Sequence, residues 1–372
     1  MIRVAEIALR EIRLSLKEPF RISSGVMSDR RILLLELRDA DGSLAWSECV
    51  AFQEPIYSGE TIDTAWLAIT SWLAPRVIGV VQTPQDVHAA LAHEIRGHHM
   101  AKAAVEMGCW ALAALRDGKS LAEMLGGTRD RVVTGISLGI QANPAALVTR
   151  ATDALAVGYR KIKVKIMPGK DVEYVAAVRE ALGPGISIMA DANSAYKLSD
   201  ADQLAKLDAF NLIMIEQPLG DDDLVRHAVL QRKMRTPICL DESITSLDRA
   251  EDMLALGSGR IVNIKPGRVG GFSASKAIHD LCEKNNVPVW CGGMLESGIG
   301  RAHNVALASL PNFKLPGDLS PSARYWERDI VTPEWTMDAD GMVRVPRDCP
   351  GIGVTVDVDR VDDLTVRRQV LK

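Results

Sequence analysis

Long apolar runs are missing from this chain. No stretch approaches the ~18 consecutive apolar residues of a membrane helix, and the most apolar segment, Ala103 to Leu115, is broken by Glu106. No membrane association is therefore expected. The opening Met1-Ile-Arg-Val-Ala-Glu-Ile lacks a basic region, an apolar block and a small-residue cleavage site, so the expected location is cytoplasmic. Cysteines are few and scattered: Cys49, Cys109, Cys239, Cys282, Cys291 and Cys349 form no C-x-x-C pair. That argues against a zinc knuckle and a disulfide framework and leaves reduced core thiols. Charge of one sign is not in excess either, with 44 Lys and Arg against 48 Asp and Glu. A nucleic-acid-binding surface needs far more cationic bias. Absence of charge blocks and low-complexity tracts excludes whole-chain disorder.

What is present is a chain of 372 residues, 47% of them apolar, enough for two to three domains and a large core. Short apolar or β-branched runs begin near residues 132, 160, 186, 211, 236, 260, 287 and 314, at intervals of roughly 26 residues. Between them lie helical patterns at Val172 to Leu182, Ala201 to Leu207, Leu247 to Leu256 and Ser273 to Asn285. Eight such units in ~200 residues is the arithmetic of a (β/α)8-type barrel. An open doubly wound sheet fits the alternation less well, since no G-x-G-x-x-G follows the first run. Residues 1–130 read as an α+β capping domain, with strands at Ile2 to Arg13 and Arg31 to Asp39, a turn at Asp39-Ala-Asp-Gly42 and helices from Thr61 to Leu115. The barrel is expected over 131–325. Residues 326–372 return to strand patterning and are expected to pack back on the cap.

Charges fall at the ends of these runs. Asp191, Glu216 and Asp241 close three consecutive runs at spacings of 25 residues, and Lys265 closes the next, 24 residues later. Side chains at the C-terminal ends of barrel strands converge on the active site. Three carboxylates brought together there repel unless a cation neutralises them, and hard oxygen donors select Mg2+ or Mn2+. With Val132 on strand one, Lys161, Lys163 and Lys165 lie on strand two and Lys265 on strand six, diametrically opposite. Lys163 and Lys165, two residues apart, share one face of their strand. A small-molecule carboxylate held by the metal would have an amine on each side. Its α-proton becomes removable when the developing enediolate charge is stabilised. A lysine serving as base needs its pKa lowered, and ~3 units correspond to ~4 kcal/mol, which a neighbouring ammonium, the metal and desolvation supply together.

Lys163-Val-Lys165, Asp191-Ala-Asn193, Ile215-Glu216-Gln-Pro218, Leu240-Asp241-Glu242-Ser243, Asn263-Ile-Lys265-Pro-Gly-Arg268 and Cys291-Gly-Gly-Met-Leu-Glu-Ser-Gly-Ile-Gly-Arg301 resemble the enolase superfamily, muconate-lactonizing branch. They are most similar to its o-succinylbenzoate synthase and N-succinylamino acid racemase group. A Lys base beside Mg2+ is a pattern known in that superfamily. The resemblance covers nearly the whole chain and implies a (β/α)7β modified barrel with an α+β cap. It implies Asp191, Glu216 and Asp241 as metal ligands, Lys165 and Lys265 as acid/base groups on opposite faces, and Lys163 as an electrostatic tuner. By the same resemblance Ser137, Asn193, Gly293 and Met294 contact substrate, while Phe20, Phe52 and Tyr325 surround a succinyl arm. Glu242 supports the metal shell or Lys265, and Arg268 is associated with members that racemise. The implied reactions are syn dehydration of 2-succinyl-6-hydroxy-2,4-cyclohexadiene-1-carboxylate in menaquinone biosynthesis and racemisation of N-succinylamino acids, in a homo-oligomer.

Blander readings stand beside these. A single acid at a strand end is more often a cap or surface residue, but three at equal spacing are not. His98 and His99 have no second His or Cys cluster nearby, and Cys291 has no His partner. Gly292, Gly293, Gly298 and Gly300 could cradle a phosphate, although approach of backbone amides to a carboxylate suits them better. A Schiff-base aldolase would not need three spaced carboxylates. A non-catalytic barrel would be expected to have lost a ligand or a lysine. Dipeptide epimerases and muconate cycloisomerases remain the nearest rivals.

Overall fold

The computed structural model describes residues 1–23 and 25–372. Its N-terminal part is built on a long antiparallel hairpin, β1 (Ile2–Ile22) with β2 (Gly25–Asp39), followed by β3 (Leu44–Cys49). The run Ile32-Leu-Leu-Leu is buried at every position because this sheet is covered on both faces. Leu33, Leu35 and Leu37 pack with Ile7 and Leu9 into the cap core, whereas Ile32 and Leu34 join Ile12 and Leu14 in the core shared with the barrel. Alternation along the strand therefore separates two apolar cores rather than core from water.

Helix His99–Arg116 lies between those cores, and all of its residues from Met100 to Ala114 are buried. A helix apolar all round is a buried one, and its small residues permit close approach. A Cβ at Gly108 would fall 2.5 Å from a Leu37 methyl.

Seven parallel staves follow in sequential order: Ile136–Leu138, Lys161–Lys165, Ser187–Asp191, Ile215–Glu216, Ile238–Leu240, Ile261–Ile264 and Val289–Cys291. Residues 312–318 close the ring. Val289 N–H donates to the Asn312 carbonyl (3.3 Å) on one side, and Gly135 N–H donates to the Gly317 carbonyl (2.7 Å) on the other. The fold is thus a modified (β/α)-type barrel under an α+β cap, as the run spacing and the resemblance predict.

Three local readings need correction. The run from Val132 is not one strand: Arg131–Val133 pairs antiparallel with Met342–Arg344, and the first stave begins only at Ile136. The break falls at Gly135, where a Cβ would lie 2.5 Å from Lys161 Cε. The helix expected over Ala201–Leu207 is α-helical only to Leu204 and continues to Phe210 as a 3-10 turn. In the C-terminal segment, where the sequence predicts strand patterning, Val358–Leu364 is a helix, capped by Asp357 accepting from Arg360 N–H. Beyond it, Thr365–Leu371 pairs antiparallel with β1, with Ile7 opposite Leu371. Both chain ends therefore meet in the cap sheet.

Candidate active site

Barrel register gathers the charges. Ser137, Lys163 and Met189 stand level on the first three staves, and Lys165, Asp191 and Glu216 stand level one pleat higher, at the carboxyl ends. Asp241 follows its stave directly, and Lys265 follows Ile264. All but the half-buried Ser137 are buried, the most exposed of the rest being Lys165 at 7%. Lys165 Nζ donates to Asp191 Oδ2 and Asn193 Oδ1, both at 2.6 Å. Lys163 Nζ lies 3.2 Å from both Asp191 Oδ2 and Glu216 Oε2. On the far side Lys265 Nζ donates to Asp241 Oδ2 (2.7 Å), and Arg268 pairs with Asp241 Oδ1. Glu242 accepts from Asn193 Nδ2 (3.1 Å) and leaves its other oxygen buried without a partner. The order across the five staves from the second to the sixth is lysine, acid, acid, acid, lysine.

Electrostatics express the crowding. Burial and the neighbouring carboxylates of Asp191 and Asp241 push Glu216 well above the usual glutamate range, even though Lys163 opposes them. Burial and Asp241 likewise raise Glu242 to about 8. Burial disfavours the charge on Lys163, yet Asp318, Glu216 and Asp191 hold it well above the usual lysine range. Lys265 is raised in the same sense, burial opposing and Asp241 prevailing. The like charge expected beside Lys165 is therefore present but already compensated by acids.

This donor set fits a hard divalent cation. Three buried carboxylates are short of positive charge, as Glu216 shows, and ammonium groups serve as their counter-charge. The acids are drawn towards those ammonium groups and not to one point. Among the described residues, the three metal-capable side chains with ligand atoms within 4.8 Å of one another are His279, Asp280 and Glu283 on helix Phe272–Lys284. Those lie outside the site.

Above the charges opens a cleft of about 510 Å³ of empty space. Every contact residue expected by resemblance borders it: Phe20 from the β1 tip, Phe52, Ser137, Asn193, Gly293, Met294 and Tyr325. Ser137 Oγ is buried with no hydrogen-bond partner, a polar atom awaiting one. Gly293 admits no side chain, since a Cβ would sit 2.8 Å from the Asp318 carbonyl. Two polar residues of the cleft, Tyr57 and Asp318, escaped the sequence reading, as did the apolar Ile22, Met27 and Leu295. Tyr57 donates its hydroxyl to Asp241 Oδ1 (2.9 Å) and accepts from Lys265 Nζ (3.2 Å); it sits in a loop without periodicity and carried no signal. Asp318 carried one, because it ends the eighth run as Asp191, Glu216 and Asp241 end theirs.

A barrel with a band of acids between two facing lysines, roofed by an α+β cap, defines an enzyme architecture for chemistry beside a carboxylate. The chain belongs to the enolase superfamily: residues 146–361 match the family described as enolase C-terminal domain-like, and residues 4–126 match the mandelate racemase / muconate lactonizing enzyme N-terminal domain. It is 48% identical over 365 residues to an o-succinylbenzoate synthase of Geobacillus stearothermophilus, covering 98% of this chain and 96% of that one. It is 44% identical over 370 residues to an N-succinylamino acid racemase of Amycolatopsis, covering 98% of each. An enolase-superfamily protein of Listeria innocua superposes with a TM-score of 0.96 at 39% identity, over 100% of this chain and 99% of that one. A dipeptide epimerase of Cytophaga hutchinsonii, solved with Mg and D-Ala-L-Val, superposes with a TM-score of 0.92 at 25% identity, over 100% of both chains. No helix among the described residues is long and apolar enough to cross a membrane.

Proposed function

We propose that this chain removes the proton adjacent to a substrate carboxylate in a divalent-metal-dependent reaction. Its main reaction is the syn dehydration of 2-succinyl-6-hydroxy-2,4-cyclohexadiene-1-carboxylate to o-succinylbenzoate. The observation that carries this reading is the pair Lys165 and Lys265 bordering one cleft, separated by the staves that bear Asp191, Glu216 and Asp241. Relatives at 48% and 44% identity with these two activities support the choice of substrate class. The division into a cap over 1–130, a barrel over 131–325 and a C-terminal return over 326–372 belongs to this proposal. So do a cytoplasmic location and a homo-oligomeric state.

Mg2+, or Mn2+ in its place, held by Asp191, Glu216 and Asp241 would draw charge from the substrate carboxylate and acidify the neighbouring C–H. Lys165 takes the proton from that carbon. Asn193 fixes the Lys165 ammonium by accepting from it and is itself held on Glu242. As an ammonium, Lys165 returns the proton to the departing hydroxide on the same face, and water leaves. Lys265, kept cationic by Asp241, stabilises the negative charge that develops opposite. Phe20, Phe52 and Tyr325 exclude water around the succinyl arm.

A second reading shares the residues. With N-succinylamino acids, Lys165 and Lys265 alternate as base and acid on opposite faces and invert the α-carbon. The buried Arg268 on Asp241, beside Lys265, favours it, as does the racemase relative. Incubation of the purified protein with Mg2+ and the cyclohexadiene acid should release o-succinylbenzoate, and chelator should abolish the release until Mg2+ is restored. Turnover indifferent to chelator would contradict the proposal.

A further inference from the structure

The chemistry above leaves Asp318 unused. This residue follows Gly317, where the ring closes, and its backbone is fixed twice: its N–H donates to the Cys291 carbonyl (2.8 Å) and its carbonyl accepts from Arg301 (2.7 Å). Its carboxylate lies between two lysines of the second stave, with Oδ1 3.3 Å from Lys161 Nζ and Oδ2 2.6 Å from Lys163 Nζ. The two lysines differ in what else they have. Lys161 is fully buried, its ammonium rests 3.8 Å from the centre of the Trp290 ring, and it has no hydrogen-bond partner. Its only ion pair among the described residues is with Asp318. Lys163 reaches three acids, and the contact with Asp318 is the shortest of them. Burial works against the charge on Asp318, but Lys163 and Lys161 outweigh it and hold the group at about 2, so it stands as a carboxylate.

We propose that Asp318 is a positioning residue: pinned by the closing stave and braced on Lys161, it holds the Lys163 ammonium at the cleft wall between Asp191 and Glu216. Without it, Lys163 is drawn to the acids above, where it disturbs the seat of Lys165. The inference rests on the reading that Lys163 and Lys165 form the reacting end of the cleft. A simpler role is available, in which Asp318 merely neutralises the buried Lys161.

Two variants separate the roles. D318N leaves Lys161 buried and uncompensated, so it should melt well below the wild type. D318N/K161M removes both charges and should recover the melting temperature. If Asp318 positions Lys163, kcat for dehydration with saturating Mg2+ falls at least tenfold in D318N and stays down in D318N/K161M. A crystal structure of the double variant should show Lys163 Nζ displaced by more than about 1 Å, on the order of the misplacement that costs an active site heavily. Recovery of kcat to within twofold of the wild type, or a Lys163 that has not moved, overturns the inference. If the wild type turns over neither the cyclohexadiene acid nor N-succinylphenylalanine, the functional reading fails by itself, and the position of Lys163 still decides the role of Asp318.

Discussion

Single residues divide the work of this site unequally. The acids and lysines were legible because each ends a run of apolar residues, and a charge repeated at that place is not explained by solvation. Tyr57 was not, since a tyrosine in an aperiodic loop looks like any other and only the tertiary fold brings it to Lys265. Its hydroxyl donates to Asp241 and accepts from Lys265, so it ties an acid to the lysine proposed as the base opposite Lys165. Y57F should therefore lower kcat for racemisation about tenfold, the worth of roughly 1.4 kcal/mol for one buried charge-assisted hydrogen bond. Dehydration should lose less, because there Lys265 acts as a fixed charge and need not move a proton. Steady-state assays of both reactions would check this, and equal losses would contradict the separate roles.

Among elements, the helices that carry the barrel are tied to the cap by buried glutamates. Glu106, on helix His99–Arg116, accepts from the N–H groups of Phe272 and Ser273 at the start of Phe272–Lys284, where Gly271 offers no capping side chain. Glu48, on β3, accepts in the same way from Ser297 and Gly300 at the start of Gly298–Ala308. Such caps satisfy orphan N–H groups and favour negative charge. None of this was visible in sequence, where Glu106 registered only as an interruption of an apolar run. Burial raises Glu106 to about 7 and Glu48 to about 8, its hydrogen-bond donors opposing in each case. An acid raised on folding binds its proton more tightly in the folded state. The resulting stability is fully present below the usual glutamate range and is lost as pH rises through 7 to 8. The melting temperature of chelator-treated protein should therefore fall between pH 6 and 8.5, and E48Q/E106Q should show a shallower fall; an unchanged slope would contradict it. E106A, which strands the buried N–H donors of Trp110 and Phe272 and the half-buried N–H and hydroxyl of Ser273, should cost about 2–4 kcal/mol in urea unfolding.

At the scale of the whole molecule, the barrel supplies charge and the cap supplies apolar walls and closure. Stave spacing and strand-end charges made the barrel readable, whereas the closing of the cap sheet by Thr365–Leu371 depends on a pairing across almost the entire chain. The hairpin tip reaches the barrel mouth, with Ser23 Oγ donating to the Ala192 and Asn193 carbonyls at 3.3 Å. Lys165 and Lys265 border the cleft under that roof, and the proposal that they face a substrate from opposite sides as two bases is the central claim. Its most direct test is solvent deuterium incorporation at the α-carbon of each enantiomer of N-succinylphenylalanine, followed by NMR with Mg2+ in D2O for the wild type, K165A and K265A. The wild type should racemise and label both enantiomers. K265A should racemise neither but still label the one enantiomer whose proton faces Lys165, and K165A should lose both racemisation and dehydration. Racemisation persisting in K265A, or dehydration surviving in K165A, would contradict the account.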